Sequence, residues 1–274
     1  MRRESVSSPQ NPKIKELAAL YEKSSKRRGR GLFVVEGVRE FRHCLEAGYV
    51  PETLFVSSSI SNEKETRVDE ILSMAEKANP SCTVIDIPAS LYEKIAYRGS
   101  TEGLIAEVRT ASHGLDTLSL GESPLVMVLE SVEKPGNLGA VLRSADAAAA
   151  DAVIICDPLT DIYNPNLIRA SLGAVFTVPV AVCTSEEAIK FLKSRNIRIY
   201  TAQLQDSEWY YETDMTEGTA LVMGTESTGL TQIWRDNADA HIRIPMCGRL
   251  DSLNVSVSAA VLLFEAVRQR CAAK

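Results

Sequence analysis

Residues 130–145 read Glu130-Ser-Val-Glu-Lys-Pro-Gly-Asn-Leu-Gly-Ala-Val-Leu-Arg-Ser-Ala145. They follow the apolar run Leu125–Leu129, which reads as a strand. A glycine-containing turn then leads into a helix of small and apolar residues, with Arg143 about two turns inside it. Two further segments leave strands in the same way. One is Leu221-Val-Met-Gly-Thr-Glu-Ser-Thr-Gly-Leu230, and the other is Ile244-Pro-Met-Cys-Gly-Arg-Leu-Asp-Ser-Leu-Asn-Val-Ser-Val-Ser258. In open α/β sheets ligands bind beyond the carboxyl ends of strands, so three such loops in one domain can converge on one pocket.

Outward from these loops the chain alternates between strand and helix patterns. Strands are expected at Leu125–Leu129, Ala152–Cys156, Val178–Val182, Ile197–Thr201, Ala220–Met223 and His241–Ile244. Helices are expected at Asn137–Ala150, Ser185–Ser194 and Val255–Cys271, the last packing through Val257, Val261, Leu262, Phe264 and Val267. Thr110–Pro124 has turn residues and weak periodicity, which makes it the linker to an earlier α/β block. In that block Asn11 can cap a helix beginning at Pro12, with Ile14, Leu17, Ala18 and Tyr21 on one face. A basic loop, Lys26–Gly31, precedes strands at Leu32–Val35, Thr53–Val56, Thr83–Ile87 and Leu104–Val108, with helices at Val38–Ala47 and near Glu63–Ala78 and a short helix before the last strand. The division is residues 1–110, a linker at 111–122, and residues 123–274.

Composition excludes several classes. No stretch approaches the roughly 18 apolar residues of a membrane helix, and the N-terminal MRRESVSSPQNPK has no apolar core of a secretory signal. The 6 cysteines lie far apart with no CxxC, as expected of reduced thiols in a cytoplasmic protein and not of a zinc site. Gly224 to Gly229 has P-loop glycine spacing, but Leu230 stands where the phosphate-gripping lysine belongs. No GxGxxG follows a strand, and His43, His113 and His241 share no motif with a nucleophile. The net charge is −6, yet residues 1–43 carry 11 Lys or Arg against 5 Asp or Glu, while the rest carries 19 against 31. A basic arm on an acidic body suits contact with phosphates, and equally suits a solvated basic helix face.

PGNLGAVLRSA (residues 135–145), GTESTGL (224–230) and the IPM-to-SLNVSVSAA stretch (244–260) together resemble the three motifs of the SpoU (TrmH-like) branch of the SPOUT methyltransferases, in order and approximate spacing. The resemblance covers residues 123–274. SSPQNPKIKEL and GLFVVEGVREF in the first block resemble the N-terminal substrate-binding domain of many such enzymes, an α/β/α fold like small RNA-binding ribosomal proteins. The resemblance implies an α/β fold whose C-terminal domain carries a trefoil knot, a topology that general packing rules would exclude. It also implies a homodimer with active sites at the subunit interface, S-adenosylmethionine bound in a bent conformation, and no metal.

Carried onto this sequence, the resemblance makes Gly224, Ile244 and Leu253 cofactor contacts, with Met223 and Met246 flanking them. Arg143 matches the catalytic arginine. A guanidinium stays protonated in proteins, so gripping an RNA phosphate and stabilising a developing alkoxide suits it better than simple proton abstraction, although a base role aided by the phosphate has been proposed for the family. Asn137 and Asn254 match asparagines that position the ribose, and each also precedes a helix it can cap. Glu226 matches the motif glutamate, which can orient Arg143 or Asn137 or satisfy loop amides. Ser252 can place the cofactor or the ribose, or act as a turn hydroxyl. In the arm, Lys13, Lys15, Lys26, Arg27, Arg28 and Arg30 are the expected RNA contacts.

The resulting expectation is an S-adenosylmethionine-dependent RNA ribose-2′-O-methyltransferase acting on ribosomal RNA, since a separate RNA-binding domain favours that target over transfer RNA. A transfer RNA enzyme and a catalytically inactive RNA-binding module are the alternatives. The asparagines, Arg143 and Glu226 are all present, which disfavours the inactive module. The SLNVSVSAA segment favours ribose over a base nitrogen as methyl acceptor.

Overall fold

The computed structural model describes residues 1–63, 68–97, 102–225 and 228–273. The chain forms two compact units, Met1–Ala111 with Asp161–Thr177, and Ser112–Thr160 with Val178–Lys274.

The first unit runs β1 (Arg2–Ser5), α1 (Pro12–Glu22), α2 (Ser24–Arg30), β2 (Leu32–Glu36), α3 (Val38–Glu46), β3 (Pro51–Val56), α4 (Ser58–Glu63), α5 (Val68–Ala78), β4 (Thr83–Asp86), α6 (Ala89–Ile95) and β5 (Leu104–Arg109). Its five-stranded sheet has the order β1-β4-β3-β5-β2, with β5 antiparallel to both β2 and β3. Asn11 caps α1 as the sequence suggests, accepting from Lys13 N at 2.9 Å. The buried face of α1 is Ile14, Leu17 and Leu20, packed on Leu32, Val34, Phe55 and Ile105; Ala18 is exposed instead. Lys26–Arg30 is helical, not a loop. Gly31 ends α2 in the left-handed conformation (φ 62°), where its N–H reaches back to the Arg27 and Arg28 carbonyls. Strand β1 has no apolar alternation to announce it; it is held by pairing with β4 and by Arg3 on Asp86 at 2.7 and 2.8 Å.

The chain continues through β6 (Leu125–Glu130), α7 (Pro135–Ala147) and β7 (Ala152–Cys156), then α8 (Pro165–Ala170) and α9 (Ala174–Thr177). These last two belong to the first unit, where Tyr163 and Phe176 stack on Phe33 at 4.1 and 5.9 Å between ring centres. The remainder is β8 (Val180–Cys183), α10 (Ser185–Ser194), β9 (Arg198–Ala202), β10 (Glu208–Trp209), β11 (Thr219–Met223), α11 (Gln232–Asn237), β12 (Ala240–Arg243) and α12 (Val255–Ala272).

The second unit's seven strands have the order β10-β12-β9-β11-β6-β7-β8, each neighbour parallel. Such strands are covered on both faces and read as near-continuous apolar runs, as β6, β7 and β11 do. On one face Val126, Val128, Ile154, Ile199, Ala220 and Val222 form a core with Leu192 of α10 and Trp234 of α11. Helix α12 packs against α7, β6 and β11. Its buried face is Val255, Ala259, Leu262, Leu263 and Ala266. That corrects the expected face, because Val257 and Phe264 are each 48% exposed. Helix α7 starts two residues earlier than expected because Pro135, with its fixed φ, takes a first-turn position.

Candidate functional site

Adjacent strands β12, β9 and β11 end side by side, and the loops that follow them wall a cleft of about 350 Å³, within the size range of small-molecule sites. Strand β11 contributes Met223 and Gly224. A Cβ on Gly224 would lie 2.3 Å from the Gly229 carbonyl oxygen and 2.6 Å from Leu230 N, so only glycine permits this loop to fold back on its own strand. The fold-back is closed by Gly229 N donating to Thr225 O at 3.0 Å, and by the Thr225 and Thr228 hydroxyls 2.7 Å apart. Beyond β12, Ile244 and Met246 line the cleft, and the loop that follows adds Ser252 and Leu253. Five expected cofactor contacts and Ser252 thus share one cavity. Glu226 lies outside the described residues.

A smaller cleft of about 120 Å³ adjoins it, sharing Gly224, Thr225 and Val255, and Asn137 lines this part with Val132, Glu133 and Lys134. The two asparagines divide the capping role. Asn137 sits inside the first turn of α7, whose N-cap is Lys134, so it is not a cap. Asn254 is the N-cap of α12, accepting from Ser256 N at 3.0 Å and from the Ser256 hydroxyl at 2.6 Å, and its Nδ2 donates to Asn137 Oδ1 at 3.2 Å. Arg143 lines neither cleft. It is exposed, and among the described residues its side chain makes no hydrogen bond or ion pair. Helical spacing aligns it with Gly136, Ala140 and Ala147, a stripe too small to pin it. Ser252 is exposed, its hydroxyl 3.4 Å from Asp251 Oδ1.

The carboxyl end of β6 is braced by its last residue, Glu130, which is only 2% exposed. It accepts from Thr231 N at 2.9 Å, the Thr231 hydroxyl at 2.5 Å and the Ser185 hydroxyl at 3.2 Å. Trp234 Nε1 donates to the same Ser185 oxygen at 3.0 Å. Thr231 supplies the Glu130 carboxylate with two donors, while the single Ser185 proton is shared with Asp157 Oδ2, the nearer acceptor at 2.6 Å, and the network ties the end of β6 to the starts of α10 and α11. Among the cleft residues that sequence reasoning missed are Gln203 and Leu204 just beyond β9 and Arg235 in α11. The strand-end rule points to the first two; α11 is six residues long and gives no periodic signal.

In the first unit, Lys13, Lys15, Lys26, Arg28 and Arg30 are exposed. Lys13 pairs with Glu4, and Arg30 pairs with Glu16 at 2.6 Å. Arg27 departs from the expectation. Its side chain is 3% exposed and donates to Asp161 Oδ2 at 2.7 Å, Leu20 O at 2.6 Å and Tyr21 O at 3.1 Å. Its donors are spent inside the unit, so it has no surface to offer a phosphate.

Residues 124–264 match the model of the SpoU rRNA Methylase family. The chain belongs to this family. Residues 11–106 of this SpoU chain match the MRM3-like substrate binding domain. A 23S rRNA (uridine(2479)-2′-O)-methyltransferase of Streptomyces viridochromogenes is 30% identical over 95% of this chain and 91% of its own length. The 23S rRNA (guanosine-2′-O-)-methyltransferase RlmB of Bordetella pertussis is 34% identical over 81% of this chain and 92% of its own. Among solved structures, an AdoMet-bound rRNA methyltransferase from Sinorhizobium meliloti superimposes with a TM-score of 0.87 at 27% identity, covering 97% of this SpoU chain and 98% of that one.

Proposed function

We propose that this SpoU-family chain transfers the methyl group of S-adenosylmethionine to a ribose 2′-hydroxyl of ribosomal RNA. One observation carries the reading. The residues matched to cofactor contacts share a single cleft, which opens through Gly224, Thr225 and Val255 to the small cleft lined by Asn137. The residues fit the cofactor: apolar walls from Leu204, Met223, Ile242, Ile244, Met246 and Leu253 suit a nucleobase, and the glycine-permitted fold-back exposes main-chain groups to its edge.

When bound, the cofactor supplies an electrophilic sulfonium methyl. The chain's own work is placement. Asn137, held by Asn254, orients the incoming ribose hydroxyl at the junction of the two clefts. The Arg143 guanidinium grips a backbone phosphate and stabilises the oxygen as its proton passes to solvent water. Positioning two reactants supplies up to roughly 7–11 kcal/mol, whereas a general base adds about 10²- to 10⁴-fold. A site without a histidine base is therefore adequate.

Residues 1–110 serve as the RNA-binding domain and residues 123–274 carry catalysis, joined by a linker at 111–122. A ribosomal target is supported by the relatives, which carry 23S rRNA activities in their names. The exposed apolar stripe on α12 supports a homodimer, and the packing of α12 against α7, β6 and β11 is compatible with a C-terminal trefoil knot. No helix among the described residues is long and apolar enough to cross a membrane, in keeping with action on RNA in the cytoplasm. Mapping ribose methylation in RNA from cells with and without the gene tests the reading: one 23S rRNA position should lose its methyl group. Loss confined to a transfer RNA reassigns the substrate, and no loss anywhere overturns the activity.

A further inference from the structure

Two side chains of the main cleft hold buried polar atoms that have no hydrogen-bond partner among the described residues: Gln203 Oε1 and Arg235 Nε. Buried polar atoms nearly always have partners, and leaving one unmet costs free energy that something must recover. Gln203 Nε2 donates to Gln205 O at 2.9 Å, which fixes the amide with its oxygen as the unmet end. The Arg235 side chain makes no hydrogen bond or ion pair among the described residues. The other cleft arginine is committed, since Arg243 donates to Ser207 O at 2.6 Å and lies over the Trp209 ring, 4.2 Å from its centre. Among the described residues the cleft therefore presents an uncommitted guanidinium and a buried, uncommitted amide oxygen between walls of mixed polar and apolar character.

We propose that Arg235 and Gln203 form the amino-acid end of the cofactor site, Arg235 holding the carboxylate of the methionine moiety and the Gln203 oxygen accepting from its ammonium. The inference rests on the cofactor assignment above. The carboxylate is the cofactor's single anion, and a planar guanidinium matches a carboxylate with two parallel donors. The ammonium has donors only, which is what an amide oxygen lacks. An RNA phosphate is a weaker match, because Arg235 Nε is shielded from solvent within the cleft, whereas Lys134, Arg143 and Arg249 are exposed cations.

The test is calorimetry on the full chain without RNA, using S-adenosylhomocysteine, its decarboxylated analogue and 5′-methylthioadenosine. Wild type should bind the decarboxylated analogue about 10- to 100-fold more weakly than S-adenosylhomocysteine. Arg235→Gln should lose about the same factor for S-adenosylhomocysteine and almost nothing for the decarboxylated analogue, so the discrimination collapses. Gln203→Leu should weaken S-adenosylhomocysteine severalfold while binding 5′-methylthioadenosine as wild type does. Should Arg235→Gln not fold, as judged by its melting transition, Arg235→Lys keeps the charge without the fork and should show an intermediate ratio. Equal wild-type affinity for the two ligands, or undiminished discrimination in either Arg235 variant, overturns the Arg235 assignment. Equal losses for both ligands in Gln203→Leu overturn the Gln203 half. Failure of S-adenosylhomocysteine to bind wild type at all strikes the cofactor assignment itself, a separate outcome.

Discussion

Asn254 Nδ2 donates to Asn137 Oδ1 at 3.2 Å, joining the cap of α12 to the first turn of α7 across 117 residues of sequence. The other end of the same amide caps α12 through Ser256. One side chain thus serves the fold with its oxygen and the site with its nitrogen. Asn254→Asp keeps the acceptor and removes the donor, so it should retain the melting temperature while single-turnover methyl transfer falls about 3- to 10-fold. Asn254→Ala removes both and should also lose about 0.5–2 kcal/mol of stability. A wild-type rate in the aspartate variant would take this contact out of the mechanism.

Arg143 is expected to act on the RNA and not on the cofactor, because it is exposed and lines neither cleft. Arg143→Ala should slow single-turnover transfer by about 10²-fold or more and leave S-adenosylhomocysteine affinity within about twofold of wild type. The comparison of rate with binding decides the matter. A parallel loss of both would place Arg143 in the cofactor site.

Two of the three loops were legible as walls of one cleft because a parallel sheet makes strand ends a common address, so Met223 and Gly224 meet Ile244, Met246, Ser252 and Leu253, while the third loop lines the adjoining cleft through Asn137. What stayed hidden depends on tertiary partners. Arg27 looks like its exposed neighbours in sequence, and only the carbonyls of Leu20 and Tyr21 and the Asp161 carboxylate, 134 residues away, draw it inside. Strand β1 exists through its pairing with β4. In α12, apolar residues occur around much of the helix, so periodicity could not say which stripe meets α7 and the sheet and which faces outward.

The corrected basic surface separates RNA affinity from folding. Lys26 and Arg28 are exposed and make no ion pair among the described residues. Replacing both with Ala should weaken RNA binding and lower the slope of log affinity against log salt by up to about 1–2. Arg27→Ala should instead destabilise the first unit by about 3–5 kcal/mol, because it strands Asp161 and two main-chain carbonyls. Filter binding across a salt series and thermal melts read the two effects. An unchanged salt slope in the double variant would show that RNA binds elsewhere.

The outward stripe of α12 carries Val257 and Phe264, each 48% exposed, with the half-buried Val261 between them. A contiguous apolar stripe of this kind marks a protein contact, and a second copy of the chain is the proposed occupant. Sedimentation should give twice the chain mass of 29.9 kDa at micromolar concentration. Phe264→Glu should shift the protein toward the monomer while its melting remains cooperative. A wild-type monomer at that concentration would dispose of the proposal.

Glu107 gives the first unit a pH dependence with a definite sign. It lies on β5 opposite Thr53 of β3 and Val34 of β2, and is 6% exposed. Burial pushes its carboxyl from the ordinary 4.5 up to about 7, opposed by the hydrogen bond with Thr53; nearby Glu16 adds to the rise and Arg30 opposes it. In the fold this group keeps its proton until about pH 7, while in the unfolded chain it ionises near 4.5. Its contribution to stability is therefore complete below pH 4.5 and is lost as pH rises through 7. At about 1.4 kcal/mol per pKa unit, the loss has a ceiling of about 3.5 kcal/mol. Glu107→Gln keeps the shape and cannot ionise. It should match wild type at pH 4.5 and melt at a higher temperature at pH 8, by an amount equivalent to about 1–3 kcal/mol. Melting curves of both chains at half-unit steps from pH 4.5 to 8 make the measurement, and a difference that stays constant across the series would mean that Glu107 titrates alike in the folded and unfolded chain.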